Sequence, residues 1–206
     1  MQNRFSKSGA TRSGPGSRPA ASRLARNGIR ELRAVFLVGF MGAGKTTVGR
    51  ALSRRLSLPF EDLDDRIQLR EGKTIEQIFR ESGEAGFRKV ETAALRELLV
   101  EISSSLRVVA LGGGAFVQPV NAALIAKAKV HSVFLDAPVE ELLRRCEEEP
   151  NQRPLRQDLK QFRELYDKRR KSYMKAAIRI ETSGKDVDRI AAEVACSLGL
   201  VREGEL

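Results

Sequence analysis

The chain has 206 residues, 41% of them hydrophobic, and a formal net charge of +10 at pH 7. With its 17 glycines counted, the apolar share is about 49%, the ordinary value for a chain with a buried core, so wholesale disorder is excluded. The longest nearly apolar stretch, residues 108–117, falls far short of the roughly 20 residues that cross a bilayer, and the two cysteines, Cys146 and Cys196, with no second Cys or His near either, support neither a disulfide framework nor a zinc site.

The basic excess is concentrated at the start. Residues 1–33 hold eight basic side chains (Arg4, Lys7, Arg12, Arg18, Arg23, Arg26, Arg30, Arg33) against the single acid Glu31, which leaves +3 for the other 173 residues. Rich in Ser, Gly, Pro and Ala, this segment cannot bury enough surface to offset chain entropy and reads as a disordered basic tail. Three uses fit it: an Arg-rich, acid-poor organelle transit peptide, a nonspecific polyanion-binding arm, or a dispensable extension. A secretory signal does not fit, because the segment has no apolar core. One folded domain is expected over residues 34–206.

At Ala34 the character changes. Ala34 to Val38 is a continuous apolar run ending at a glycine, the pattern of a strand buried on both faces of a parallel sheet. The next eight residues, Gly39-Phe40-Met41-Gly42-Ala43-Gly44-Lys45-Thr46, match the phosphate-binding P-loop. Glycines there let successive backbone N–H groups curl around phosphate oxygens, and the helix expected over Thr46–Leu56 points its positive end at them. In this pattern Lys45 reaches the terminal phosphates, Thr46 offers its hydroxyl to Mg2+, and Gly42, Ala43, Gly44 and Thr47 line the nucleotide.

Asp62-Leu63-Asp64 closes a second short strand and opens a helix, so both acids can face the phosphate loop. Helix capping would account for them. Beside a P-loop, Asp62 can also hold magnesium through water, and Asp64 can accept a hydrogen bond from an acceptor hydroxyl or act as a base. Helical patterns follow over Ile75–Glu81 and Ala85–Ile102, with Arg88 on what could be a solvated basic face. The strand Arg107–Leu111 runs into Gly112-Gly113-Gly114. A turn would use three glycines, but strand ends at this edge of an open α/β sheet are where ligands bind, and glycine permits close backbone approach.

A strand over Val130–Leu135 and a helix over Val139–Glu147 come next. Residues 147–158 are polar and contain proline, the composition of a mobile lid. A helix over Asp158–Ala176, a strand over Ala177–Ile180 and a helix over Val187–Leu198 complete the chain. His131, Cys146 and Cys196 read as ordinary structural residues. Strands alternating with helices predict an α/β fold, a three-layer sandwich around a central parallel sheet with right-handed crossovers. No Asn-Lys-x-Asp guanine signature is present, and a P-loop at the very start of a short domain favours a small-molecule kinase.

Five separated motifs sharpen that class: the P-loop; Asp62-Leu63-Asp64; Gly83-Glu84-Ala85-Gly86-Phe87-Arg88 with Glu91; Leu111-Gly112-Gly113-Gly114; and Arg153-Pro154-Leu155 followed by Arg169 and Tyr173. On these the chain from Ala34 to about Leu200 resembles the shikimate kinases. The resemblance implies a five-stranded parallel sheet of the nucleoside monophosphate kinase group. It implies transfer of the γ-phosphoryl group of ATP to the 3-hydroxyl of shikimate, in chorismate and aromatic amino-acid biosynthesis, with one Mg2+ accompanying ATP.

Under the same resemblance Lys45, Asp64 and Arg153 are catalytic, and Arg153 closes over ATP from the lid. Asp64 binds substrate hydroxyls, Arg88 and Arg169 hold the carboxylate, and Gly112, Gly113 and Gly114 lie against the ring. Thr46 and Asp62 serve the metal, and Arg145 stacks on adenine. Arg144 and Arg170 are the adjacent alternatives to Arg145 and Arg169, and Arg156 stands where the family commonly has a second leucine. A monomer in the cytoplasm is expected, or in a plastid if the tail is a transit peptide. Two other readings remain: a gluconate-kinase-like enzyme, which should lack the Asp-x-Asp, Phe-Arg and triple-glycine motifs, and a nucleic-acid-stimulated NTPase, for which 5% aromatics and no Trp give few stacking platforms.

Overall fold

The computed structural model describes residues 33–102, 106–128, 130–148 and 159–201. The basic tail up to residue 32, and residues 149–158 with Arg153 and most of the expected lid, lie outside the described residues.

Five parallel strands form one sheet: β1 (Ala34–Val38), β2 (Phe60–Asp62), β3 (Arg107–Ala110), β4 (His131–Asp136) and β5 (Ile178–Glu181), in the order β2-β3-β1-β4-β5. The apolar run expected to be sealed on both faces is so: every residue of β1 is buried, with Phe36 paired to Val109 of β3 on one side and Ser132 of β4 on the other. The edge strands β2 and β5 are short and only partly buried, as their mixed composition requires.

The helices are α1 (Lys45–Leu56), α2 (Leu63–Glu71), α3 (Ile75–Glu101), α4 (Pro119–Lys127), α5 (Val139–Glu148), α6 (Leu159–Tyr173) and α7 (Val187–Ser197), with a 3-10 turn at Ala115–Val117. From β1 the chain crosses two places to β2 and then reverses toward β3 and β4. Right-handed crossovers therefore put α1 on one face and α3 and α4 on the other. The packing agrees, with α1 against α7 and α3 against α4, which gives the three layers the alternation predicts.

The two helical patterns expected either side of residue 83 form one element with a break. Thr74 and Gln77 make a reciprocal capping box at its start, and Gly83 at φ 64°, ψ −174° interrupts the helical backbone. The helix expected to open at Asp62 is α2, capped by that residue and burying only Leu63 and Ile67, too few to give a periodic signal of its extent. One helix, α4, goes beyond the sequence reading. In α4, Ala-Ala-Leu-Ile-Ala has no polar face; Pro119 at its start was the available clue. β4 runs one residue past the expected end and so includes Asp136, a buried acid. Among the described residues no helix is long and apolar enough to cross a membrane.

Candidate active site

The P-loop leaves the carboxyl end of β1, between β3 and β4, where an open parallel sheet gathers its ligands. α1 starts at Lys45 behind Gly44 with no side-chain cap and no acid in its first turn, so its leading backbone N–H groups are left for an anion. Gly42 is required twice over. Its φ is 75°, and a Cβ there would fall 2.4 Å from the Leu142 carbonyl oxygen and 2.9 Å from Cys146 Sγ. α5 is thus packed directly on the loop, and buried Cys146 is part of that packing. Phe40 buries its ring edge-on against Phe162 and Tyr166 of α6, with centroids at 5.1 and 5.6 Å.

Within the loop Lys45 Nζ donates to the Phe40 carbonyl at 3.0 Å. Thr46 Oγ1 donates to Asp62 Oδ2 at 2.7 Å, while Asp62 Oδ1 accepts from the Asp64 backbone N–H at 3.0 Å. Asp62 therefore caps α2 with one oxygen, as the capping reading expects, and meets the Thr46 hydroxyl with the other. A hydroxyl and a carboxylate side by side are hard oxygen donors of the kind Mg2+ takes. Among the described residues no group of three or more His, Cys, Asp or Glu could hold a metal unaided. Thr47 is exposed on the first turn of α1.

On the β3 side a second set converges. A Cβ on Gly112 would fall 2.6 Å from Asp64 Oδ1, and one on Gly113 would lie 3.7 Å from Arg169 Nη1. Gly114 is packed so closely on Arg88 that a Cβ would fall 2.4 Å from Nη1 and 2.5 Å from Nη2, so no larger residue fits without moving the guanidinium. Asp64, Arg88 and Arg169, separated by more than a hundred residues of chain, thus meet the triple glycine from three directions. Arg169 also lies over the Phe40 ring at 5.9 Å, which links this set to the P-loop. The neighbouring Arg170 turns away and pairs with Asp136 at 2.7 Å.

Two residues of the cluster were not assigned a role by the sequence. Glu91, one turn from Arg88, is buried and accepts from Arg88 Nη1 at 2.9 Å. Burial raises the Glu91 pKa against the pull of Arg88; for Arg88 burial works against the charge, but Glu91 and Glu84 outweigh it and its pKa rises. Tyr173, one turn beyond Arg169, is buried against Phe134 and donates its hydroxyl to the Gly113 carbonyl. Its spacing from Arg169 was the only signal for it.

Burial pushes the Tyr173 hydroxyl up to about 12, with nearby Arg169 pulling the other way. The folded value lies above the ordinary 10.0, so this stabilisation is complete below pH 10 and is lost as the pH rises toward 12. The stability advantage of the wild type over Tyr173→Phe should accordingly shrink by about 2 kcal/mol between pH 9 and 12. Urea unfolding of both proteins across that range measures it, and a constant difference would contradict it.

On the far side of the P-loop, Arg145 of α5 donates to Glu141 at 2.5 Å and to the Thr182 carbonyl at 3.2 Å, just past β5. The Ser183 hydroxyl hydrogen-bonds Glu141, and this bond, with Arg145, holds the Glu141 pKa below its ordinary value against the effect of burial. Arg144 points outward to Glu148. Gly42, Ala43, Gly44, Lys45, Thr46, Asp62, Asp64, Arg88, Gly112, Gly113, Gly114 and Arg169 are thereby brought together, and Arg145 flanks them.

A parallel α/β sheet with a P-loop on its central strand, and a carboxylate and two arginines gathered beside it, defines a P-loop small-molecule kinase. The shikimate kinase family model matches residues 41–198. The shikimate kinase of Persephonella marina is 39% identical over 173 residues, 83% of this chain and 100% of that one. The crystal structure of the shikimate kinase from Aquifex aeolicus superposes with a TM-score of 0.71 at 38% identity, covering 81% of this chain and 96% of that one. The shikimate kinase from Acinetobacter baumannii, solved in complex with shikimate, gives 0.72 at 38% identity over 81% and 93%. The chain belongs to the shikimate kinase family, and ATP-dependent phosphorylation of shikimate is its reaction.

Proposed function

We propose that this chain transfers the γ-phosphoryl group of ATP to the 3-hydroxyl of shikimate with its charges divided by task. The observation that carries the reading is the convergence of Asp64, Arg88 and Arg169 on Gly112, Gly113 and Gly114 beside the P-loop. Two planar guanidinium forks suit a carboxylate. Asp64, on the P-loop side of that anchor, accepts a hydrogen bond from the hydroxyl and orients or deprotonates it. Holding the acceptor oxygen in line with the γ-phosphate is most of the work, because phosphoryl transfer asks little covalent chemistry of the protein.

Lys45 swings from the Phe40 carbonyl to the terminal phosphates, where its charge offsets the charge on the transferring group. Thr46 and Asp62 hold Mg2+ brought with ATP; when bound, the ion neutralises phosphate charge. Arg145 lies beside the base. Arg153 is assigned to the transferring phosphoryl on the family resemblance alone. We place the protein in a bacterial cytoplasm as a monomer, in keeping with the bacterial sources of its relatives.

The test is ADP release with ATP and Mg2+ in the presence of shikimate, gluconate, nucleoside monophosphates or single-stranded DNA. Turnover is expected with shikimate alone. Turnover with another acceptor, or stimulation by DNA, would overturn the acceptor site while leaving the P-loop in place.

A further inference from the structure

The guanidinium of Arg88 does not wait empty. Its Nη1 is held by Glu91, which is 1% exposed, and its Nη2 by Glu84 at 3.1 Å, a side chain 69% exposed. Its Nε is buried and has no hydrogen-bond partner among the described residues. An arginine can offer a carboxylate two donors on one edge, and here the Nη1 corner is fixed by a buried acid. The remaining edge, Nε with Nη2, has one orphaned donor and one donor occupied by a solvent-facing carboxylate.

From this geometry we infer that Glu84 is a stand-in for the acceptor's carboxylate and sets the affinity of that subsite. The inference rests on the reading of Arg88 as the carboxylate anchor. The incoming carboxylate takes the Nε–Nη2 edge and gives Nε the partner it lacks, and Glu84 yields. If Glu84 stayed, two like charges would share one donor group, which disfavours binding in the same direction.

Release of Glu84 is easy for two local reasons. It stands directly after the break at Gly83, at the start of the second helical segment of α3, where a carboxylate is favoured by the helix dipole even without Arg88. The pair is also exposed on the Glu84 side and therefore weak. Glu91 cannot behave this way, since it is sealed in the protein and its loss would leave Arg88 without its inner partner. Two carboxylates one turn apart on either side of Arg88 thus have opposite tasks. The inner one orients the fork, and the outer one occupies its Nη2 donor until a better-placed acid arrives.

The experiment is equilibrium titration of the full chain with shikimate and with its methyl ester, in which the carboxylate charge is removed. Glu84→Gln and Glu84→Ala should both bind shikimate about 1.5- to 5-fold more tightly than the wild type, the factor an exposed ion pair is worth, and should bind the ester as the wild type does. Unchanged or weaker shikimate binding in both variants, with the wild type still preferring acid to ester and Arg88→Lys losing that preference, would overturn the role of Glu84 alone. A wild type indifferent to the ester would remove the carboxylate anchor at Arg88, and this inference with it.

Discussion

Asp64→Asn is expected to lower turnover about 10²- to 10⁴-fold while nucleotide binding survives, the range over which a positioned base or hydroxyl acceptor acts. The exchange is nearly isosteric. The backbone N–H of residue 64 can still donate to Asp62 Oδ1, so the cap of α2 and the Thr46–Asp62 contact are preserved. What disappears is a negative oxygen lying against Gly112, where the acceptor hydroxyl must be oriented. The other carboxylate of the cluster, Glu91, is already held by Arg88 and does not substitute for it. Steady-state ADP release gives the turnover, and titration with a non-hydrolysable ATP analogue gives the binding. Turnover within a few fold of wild type would remove Asp64 from the chemistry. Loss of nucleotide binding as well would mean that the substitution acts through Asp62 and the P-loop.

The parts of this site that were legible in the sequence share a property: their chemistry is written in consecutive residues. A P-loop must be contiguous because neighbouring N–H groups wrap one phosphate, and Asp62 and Asp64 must follow a strand end to face it. The strands Ala34–Val38 and Arg107–Leu111 were visible for a related reason, since burial on both faces leaves an unbroken apolar run. Arg88 and Arg169 stood out only through the family pattern, because nothing local separates an anion-binding arginine from a solvated one.

Tertiary partners account for what was not legible. Phe40 looks like an incidental residue of the loop until α6 brings Phe162 and Tyr166 against it. Tyr173 gains its partner from a carbonyl sixty residues away. α4 escaped because a helix with apolar residues all round lacks the alternation that marks an amphipathic one.

Asp136 is the sharpest case of a residue whose importance only the fold reveals, and Asp136→Asn is expected to cost about 2–4 kcal/mol of stability. Its carboxylate, 3% exposed, accepts from Arg170 of α6 at 2.7 Å and from Arg179 of β5 at 2.8 Å, and its backbone oxygen accepts from Thr182. Two elements, α6 and β5 with the residue that follows it, are therefore tied to the end of β4 through one residue. The amide keeps the shape but loses the charge that both arginines answer, and hydrogen bonds to charged groups are worth about 1.5–3 kcal/mol each. The exposure of the arginines, 35% and 47%, lets water recover part of that loss, which keeps the total below the sum of two such bonds.

For a chain of this size the melting temperature should fall by roughly 5–15 °C. The consequence for function follows from what else α6 carries. Arg169 and Tyr173 sit on the helix that Asp136 anchors through Arg170, so the Michaelis constant for shikimate should rise more than that for ATP. Arg179→Ala, which leaves the Arg170 pair intact, should cost less than half as much stability and leave the acceptor constant near wild type. A thermal shift under 2 °C for Asp136→Asn, or equal effects of the two substitutions, would mean that α6 is held in place by its packing on Phe40 and Phe134 and not by this carboxylate.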